Sequence, residues 1–165
     1  MRTRPEHPDD LAAIRRVHLA AFPGPGEADL VDALRRTARL TLSRVGEVDG
    51  AVVGHVALSP VTVAGATGGL GLAPVAVLPE HQGRGLGGAL VVDALGAARA
   101  QGAAFVVLLG DPGWYARFGF RPASTWGLHD AWGGGDAFQA VQLQPGALDG
   151  ARGVVAYDPA FDDLG

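Results

Sequence analysis

Val77-Leu78-Pro79-Glu80-His81-Gln82-Gly83-Arg84-Gly85-Leu86-Gly87-Gly88 is the stretch on which the reading of this chain turns. An apolar, β-branched run ends at Val77, and a long apolar stretch opens near Gly85. The glycines between them leave successive backbone N–H groups uncovered beside the N-terminus of a helix. Together these make a site for an anion, a phosphate or pyrophosphate above all. Arg84 adds a forked cationic donor. Two other readings compete. Gly83-Arg84-Gly85-Leu86-Gly87-Gly88 satisfies G-x-G-x-x-G, and Asp111 stands at the end of the next strand, where a ribose-binding acid would sit. In that fingerprint the first glycine follows the strand directly, whereas here residues 78–82 intervene. The chain is also too short for a doubly wound domain after three antiparallel strands. The third reading is tight packing alone, which an arginine inside the glycine run speaks against.

Outward from this loop, residues 85–101 read as a helix that is apolar almost all round, with Asp93 and Arg99 as its main polar breaks. Such a helix is expected to be buried against a sheet. Residues 104–109 form a short buried strand. The strand–helix–strand unit is expected to be parallel with a right-handed crossover. Upstream, strands at 40–45, 51–59 (ended by Pro60) and 70–77 are separated by turns at 46–50 and 65–69, which predicts an antiparallel meander. Before them come a short strand at 2–4 and a helix opened by Pro8-Asp9-Asp10, with Leu11, Ile14, Val17, His18 and Ala21 at helical spacing. A break at 22–26 precedes a second helix over about 27–36. Downstream lie a short helix at 114–118, a Gly-rich loop at 121–136 holding Trp126, His129 and Trp132, and strands at 137–143 and 153–157. The class is α+β, a mixed and mostly antiparallel central sheet flanked by helices. With no repeat and no linker, residues 1–165 are expected to be a single domain.

Composition narrows the function. Apolar residues are 48% and charged residues 18%, which describes a globular chain. Cysteine is absent, so disulfides, thiol nucleophiles and cysteine-ligated metals are excluded. Lysine is absent as well, which removes Walker A and Schiff-base chemistry. The net charge of −4 offers no general attraction to nucleic acid. The five histidines are scattered without ligand spacing, so no metal is expected. Residues 1–10 do not read as a signal peptide, and no apolar run approaches the ~18 residues of a membrane helix. A cytoplasmic protein is expected, with no membrane and no nucleic-acid partner.

The full stretch also fits Val-x-Pro-x-x-Gln-x-x-Gly-x-Gly, through Val77, Pro79, Gln82, Gly85 and Gly87. This resembles the acyl-CoA pyrophosphate loop of the GNAT superfamily of N-acetyltransferases. Tyr115-Ala116-Arg117-Phe118-Gly119-Phe120 is similar to the Tyr-x-x-x-Gly-Phe segment that follows the next strand in that family. The order of elements agrees over about residues 1–143. Gly54-His55, Ser59-Pro60-Val61 and Gly110-Asp111-Pro112 resemble a subgroup of small bacterial members, most without an assigned substrate.

The resemblance implies a GNAT-like sheet splayed into an acyl-CoA cleft, and transfer of an acyl group, acetyl above all, from acetyl-CoA to an amine. Val75, Ala76 and Val77 would meet the pantetheine arm. Gln82, Gly83, Arg84, Gly85, Leu86, Gly87 and Gly88 would wrap the pyrophosphate, and a backbone N–H near Val77 would hold the oxyanion. Pro74, unable to donate to a ladder, would disturb the sheet beside them. Tyr115 is the expected general acid to the departing thiolate, against a reading in which it only packs beside Trp114 and Phe118. The central strand lacks the carboxylate that some members use as base. His55 is the substitute, weighed evenly against a structural histidine, with water as a further proton carrier. His129-Asp130 with Trp126 and Trp132 either shapes an acceptor pocket or packs its own loop. Glu27 and Asp29 are placed near the acceptor by analogy alone. The acceptor amine, on a small molecule or a protein, is not legible, and an exposed edge near the C-terminal strands offers a homodimer contact. Two rival functions are a non-catalytic acyl-CoA-binding regulatory or interaction module, and acylation of a charged tRNA, which the charge argues against.

Overall fold

The computed structural model describes residues 1–164. Among these residues nine strands and four α-helices follow one another as β1 (Arg2–Pro5), α1 (Leu11–Ala21), α2 (Gly26–Arg36), β2 (Leu42–Val48), β3 (Ala51–Ala64), β4 (Ala66–Val77), α3 (Leu86–Ala100), β5 (Phe105–Leu109), α4 (Pro112–Tyr115), β6 (Arg121–Pro122), β7 (Leu128–His129), β8 (Phe138–Gln142) and β9 (Arg152–Ala156). The main sheet runs β1-β2-β3-β4-β5-β8-β6, and β9 joins β3 to β7 at one side. Every pairing is antiparallel except β4 with β5 and β7 with β9. The α+β class and the meander are as the sequence predicts. Among the described residues no helix is long and apolar enough to cross a membrane, and no group of three or more acidic or histidine side chains is placed to hold a metal ion.

Two boundaries differ from the sequence reading. β3 does not end at Pro60 but runs on to Ala64, and the expected turn at 65–69 shrinks to Gly65, at φ +83°. The cause lies in the register. Leu58 gives its carbonyl to Thr41 on the β2 side, and β2 pairs with β3 no farther than Leu58. Pro60 faces the same way, past the end of its neighbour, so its missing N–H breaks no ladder bond. The loop at 121–136 is likewise not featureless. Its short β6 and β7 tie it to β8 and β9.

Helix α3 covers one face of the sheet, with Leu86, Leu90, Val91, Ala94, Leu95 and Ala98 buried. They pack on Val53, Val56, Leu58, Leu70 and Leu72. Its first turn is seated on Gly46 and Gly54, which are partners in the β2–β3 register. A Cβ on Gly46 would lie 2.7 Å from Leu86 Cδ1, and one on Gly54 would lie 3.0 Å from Leu90 Cδ1. The glycine pair therefore sets how closely the helix, and the loop that feeds it, approach the sheet. The other face carries α1, through Ile14 and Val17 against Val45, Val52, Ala57 and Ala76.

Gly54→Val is expected to lift the start of α3 and destabilise the fold by about 1–3 kcal/mol, the range for overpacked cores. Urea denaturation measures this. An unchanged midpoint would mean that the glycine seat does not position the helix.

Candidate active site

β4 and β5 pair over only three residues, Gly69 with Phe105, Leu70 with Val106 and Gly71 with Val107. Beyond them the strands part. The parting coincides with a bulge, because Leu58 opposes Leu72 and Val56 opposes Val75, leaving Ala73 and Pro74 against Ala57 alone. An extra residue of this kind bends its strand and increases its twist. Past the bulge, Leu78 N–H donates to Val53 and the Val77 carbonyl accepts from Gln82 Nε2 at 2.9 Å. Peptide direction alternates along a strand, so Val75 and Val77 present their backbone groups to the gap while Ala76 turns its own to β3. Of the three expected contact residues, Ala76 thus offers the cleft its side chain and not its peptide.

A cavity of about 250 Å³ fills this gap, lined by Ala21, Phe22, Val75–Val77, Gln82, Gly87 and Trp114. The loop above it has the form of an anion cradle. The N–H groups of residues 83–88 take no backbone acceptor, the first bond of the helix being Ala89 N–H to Gly85. Gly83 and Gly85 sit at φ +76° and +86°, where an L side chain is strained. Gly87 has ordinary helical φ, and a Cβ there would meet nothing within 4 Å. The protein's own packing gives no reason for glycine at this position, which costs a helix roughly 1 kcal/mol against alanine. The open space above Gly87 belongs to the cleft, and the uncovered N–H groups beside it suit a pyrophosphate. Leu86, expected among the binding residues, instead buries its side chain in the core beneath. Gln82 is spent on fastening the loop to Val77.

Tyr115 is half-buried, with Trp114 edge-on at 4.7 Å and Phe120 at 5.9 Å between ring centres. Its ring lies over Gly110, where any Cβ would collide with it. Burial raises its pKa above the usual 10, so the phenol stays a proton donor. Trp114, beside it, lines the cleft.

His55 lies behind the cleft wall rather than on it. Its Cα partner in the register, Ala76, lines the cavity, but His55 itself is fully buried. Its Nδ1 is 2.8 Å from His18 Nε2 and its Nε2 is 2.8 Å from Ser43 Oγ, which in turn meets the Glu6 carboxylate. A carboxylate only accepts, so the direction of every proton follows from it. Ser43 donates to Glu6, His55 Nε2–H to Ser43, and His18 Nε2–H to His55 Nδ1. His18 Nδ1 is left as a buried acceptor without a partner. Sequence reading missed His18, whose only signal was a histidine on the apolar stripe of α1. It stacks on Phe22, a residue of the cleft wall, at 6.1 Å and 8°. The chain of hydrogen bonds therefore fixes α1 against β3 and sets Phe22 in place. Asp29, expected near the acceptor, pairs instead with Arg15 at 2.9 Å on the outside, and Glu27 does not line this cavity.

Burial depresses the His18 pKa from 6.5 to about 4, against a smaller opposing pull from Asp32. That of His55 is held well below 6.5 by burial, then by His18 and Arg35. Both are neutral when folded.

Comparison with known proteins agrees with this geometry. The family described as "Acetyltransferase (GNAT) domain" matches residues 42–122. The chain is 41% identical over 165 residues to uncharacterized N-acetyltransferase YhbS of Escherichia coli K12, covering 98% of this chain and 99% of that protein. The crystal structure of E. coli YhbS in complex with CoA superposes with a TM-score of 0.94 at 40% identity, over 99% of this chain and 93% of that one. A GNAT family acetyltransferase from Brucella melitensis in complex with acetyl-CoA gives 0.81 at 44% identity, over 98% and 97%.

The buried histidines make stability depend on pH with a definite sign. Between pH 6.5 and about 4 the unfolded chain binds protons that the folded His18 refuses. Stability is therefore complete above 6.5 and is lost as pH falls through that window, by roughly 3 kcal/mol for His18. Thermal melts from neutral pH to pH 5 should show a falling Tm, and His18→Gln should flatten the fall. A Tm constant over this range would show that the pair is not buried in its neutral form.

Proposed function

The chain belongs to the GNAT acetyltransferase family, and from that premise we propose that it is a single-domain enzyme transferring the acetyl group of acetyl-CoA to a primary amine. Gly87 is the observation that carries the cosubstrate assignment: a glycine with helical φ, no neighbour to make room for, and the cleft directly above it. The likeness to CoA-bound and acetyl-CoA-bound relatives supports the same assignment.

When bound, acetyl-CoA supplies an activated thioester carbonyl. The N–H groups of Gly83–Gly88 receive its pyrophosphate at the positive end of α3. Arg84, exposed at the rim, adds charge without burial. Val75 and the N–H of Val77, turned into the gap, hold the pantetheine arm and the oxygen that becomes negative as the amine attacks. The neutral amine forms the C–N bond, the C–S bond breaks, and Tyr115 gives its proton to the departing sulfur. The proton lost by the amine leaves through water. His55, with both ring nitrogens engaged and no face on the cleft, acts as a positioning residue for α1 and Phe22.

The rival reading is a non-catalytic acyl-CoA-binding module. Tyr115 separates the two. Tyr115→Phe is expected to lower kcat by about 10²–10⁴-fold, the usual worth of a positioned acid, with the acetyl-CoA Kd unchanged. Its raised pKa places loss of the acid above pH 10, so the wild-type rate should not fall on that account below it. An unaltered kcat would remove Tyr115 from the chemistry, and CoA release that ignores added amine would favour the module.

Gly87→Glu tests the cradle itself. Glutamate in the first turn suits both helix propensity and the helix dipole, so Tm should hold or rise. Calorimetric affinity for acetyl-CoA should fall at least 100-fold. Wild-type affinity in this variant would put the pyrophosphate elsewhere.

A further inference from the structure

A second cavity, of about 360 Å³, opens from the same separation of β4 and β5. Ala73 of β4 and Leu109 of β5 form two of its walls, and Trp132, Tyr157, Phe161 and Leu164 close it. Ala73 is two residues from Val75 of the first cavity, on the other side of the bulge. The two cavities thus meet the gap at successive levels, one beneath the anion cradle and the other on the side of β9 and the C-terminal turn.

Its chemistry is one-sided. Among the described residues that line it, none carries a charge, and the polar side-chain groups are the Tyr157 hydroxyl and the Trp132 indole N–H. Tyr157 stacks edge-on with Trp132 at 5.2 Å and with Phe161 at 4.9 Å. Burial, and then the charge of Asp130, raise its pKa, so the hydroxyl remains a donor. Two large apolar side chains stay exposed at this cavity, Trp132 at 48% and Leu109 at 43%. Trp132 is not there by looseness of the loop. The buried Asp130 carboxylate accepts from the N–H of Gly134 at 2.9 Å and of Trp132 at 3.3 Å, which fixes the turn that presents the indole.

We propose that this cavity is the acceptor site and that the acceptor is an arylalkylamine, an uncharged flat ring carrying a primary amine on a short chain. The proposal rests on the acetyltransferase reading above and adds the substrate class to it. At about 360 Å³ the cavity lies at the small end of the range for small-molecule sites. The three aromatic walls offer edge and face contacts to a ring. A short chain then spans the step to the gap and brings the amine nitrogen to the thioester carbon. A polyamine or an aminoglycoside would leave its further ammonium groups in a wall without a carboxylate, at the cost of burying unpaired charge.

The test has two stages on the full chain. Calorimetry with acetyl-CoA comes first; no binding there overturns the cosubstrate assignment, and the acceptor proposal with it. With acetyl-CoA bound, initial rates are compared for phenethylamine, tryptamine, spermidine and a lysine-containing peptide, and phenethylamine binding to the CoA-saturated protein is titrated. The expected result is a kcat/KM for the aryl amines at least 100-fold above those for spermidine and the peptide. Trp132→Ala, a surface change that spares the fold, should raise KM for phenethylamine at least tenfold while leaving the acetyl-CoA Kd unchanged. Leu109→Glu should lower use of the aryl amines and raise that of spermidine. Equal or better use of spermidine or the peptide by wild type, or phenethylamine neither bound nor acetylated by a protein that binds acetyl-CoA, would overturn the acceptor class and leave the cosubstrate assignment standing.

Discussion

Both cavities of this molecule depend on one interruption, the loss of pairing between β4 and β5 after three residues. Backbone groups within a protein need partners. Interrupting a sheet in its middle therefore creates a demand for hydrogen bonds that water or a bound molecule must meet. The bulge at Ala73–Pro74 turns β4 away, and proline at the second of these positions has no N–H with which to rejoin a neighbour. The groups of Val75 and Val77 that would have bonded to β5 face the gap. Both cavities open from it, and Trp114 and Leu109, near the end of β5, stand one on each.

The gap would be useless without a fixed distance to the anion cradle. Gly46 and Gly54 hold α3 close to the sheet, so the first turn of the helix arrives beside the C-terminal end of β4. Gln82 closes the arrangement by fastening the loop to the Val77 carbonyl. On the opposite face the Glu6–Ser43–His55–His18 chain holds α1, and with it Phe22, against β3, the neighbour of β4. A cleft lined by loop, strand and three helices thus keeps its shape largely through contacts made behind its walls.

Much of this was legible in the sequence because it is local. The glycine loop, the apolar α3, the meander and the Tyr-x-x-x-Gly-Phe segment each announce themselves in one continuous stretch of chain. What stayed hidden depends on register and long-range contact. Pro60 reads as a strand end unless one knows that β2 has already stopped beside it. Ala76 reads as a backbone ligand unless the alternation is anchored by the Leu78 bond to Val53. His55 reads as a cleft base because a strand pattern gives a face but not what covers it; here α1 covers it with a second histidine. Trp132 was visible as an aromatic in a loop, yet only the folded chain brings Tyr157, 25 positions later, against it.

Gly87 separates what the fold prefers from what the proposed cosubstrate site requires. Alanine there would favour the helix by about 1 kcal/mol and collide with nothing in the protein. A laboratory selection for heat resistance, run without the small-molecule partner, would welcome that change early and erode the site while the melting curve improved. In the presence of the partner the pressure reverses, because a ligand that binds only the folded state adds its own occupancy to the stability. On the cosubstrate assignment proposed above, the residue records that the chain was shaped in company, its native state selected as one half of a complex.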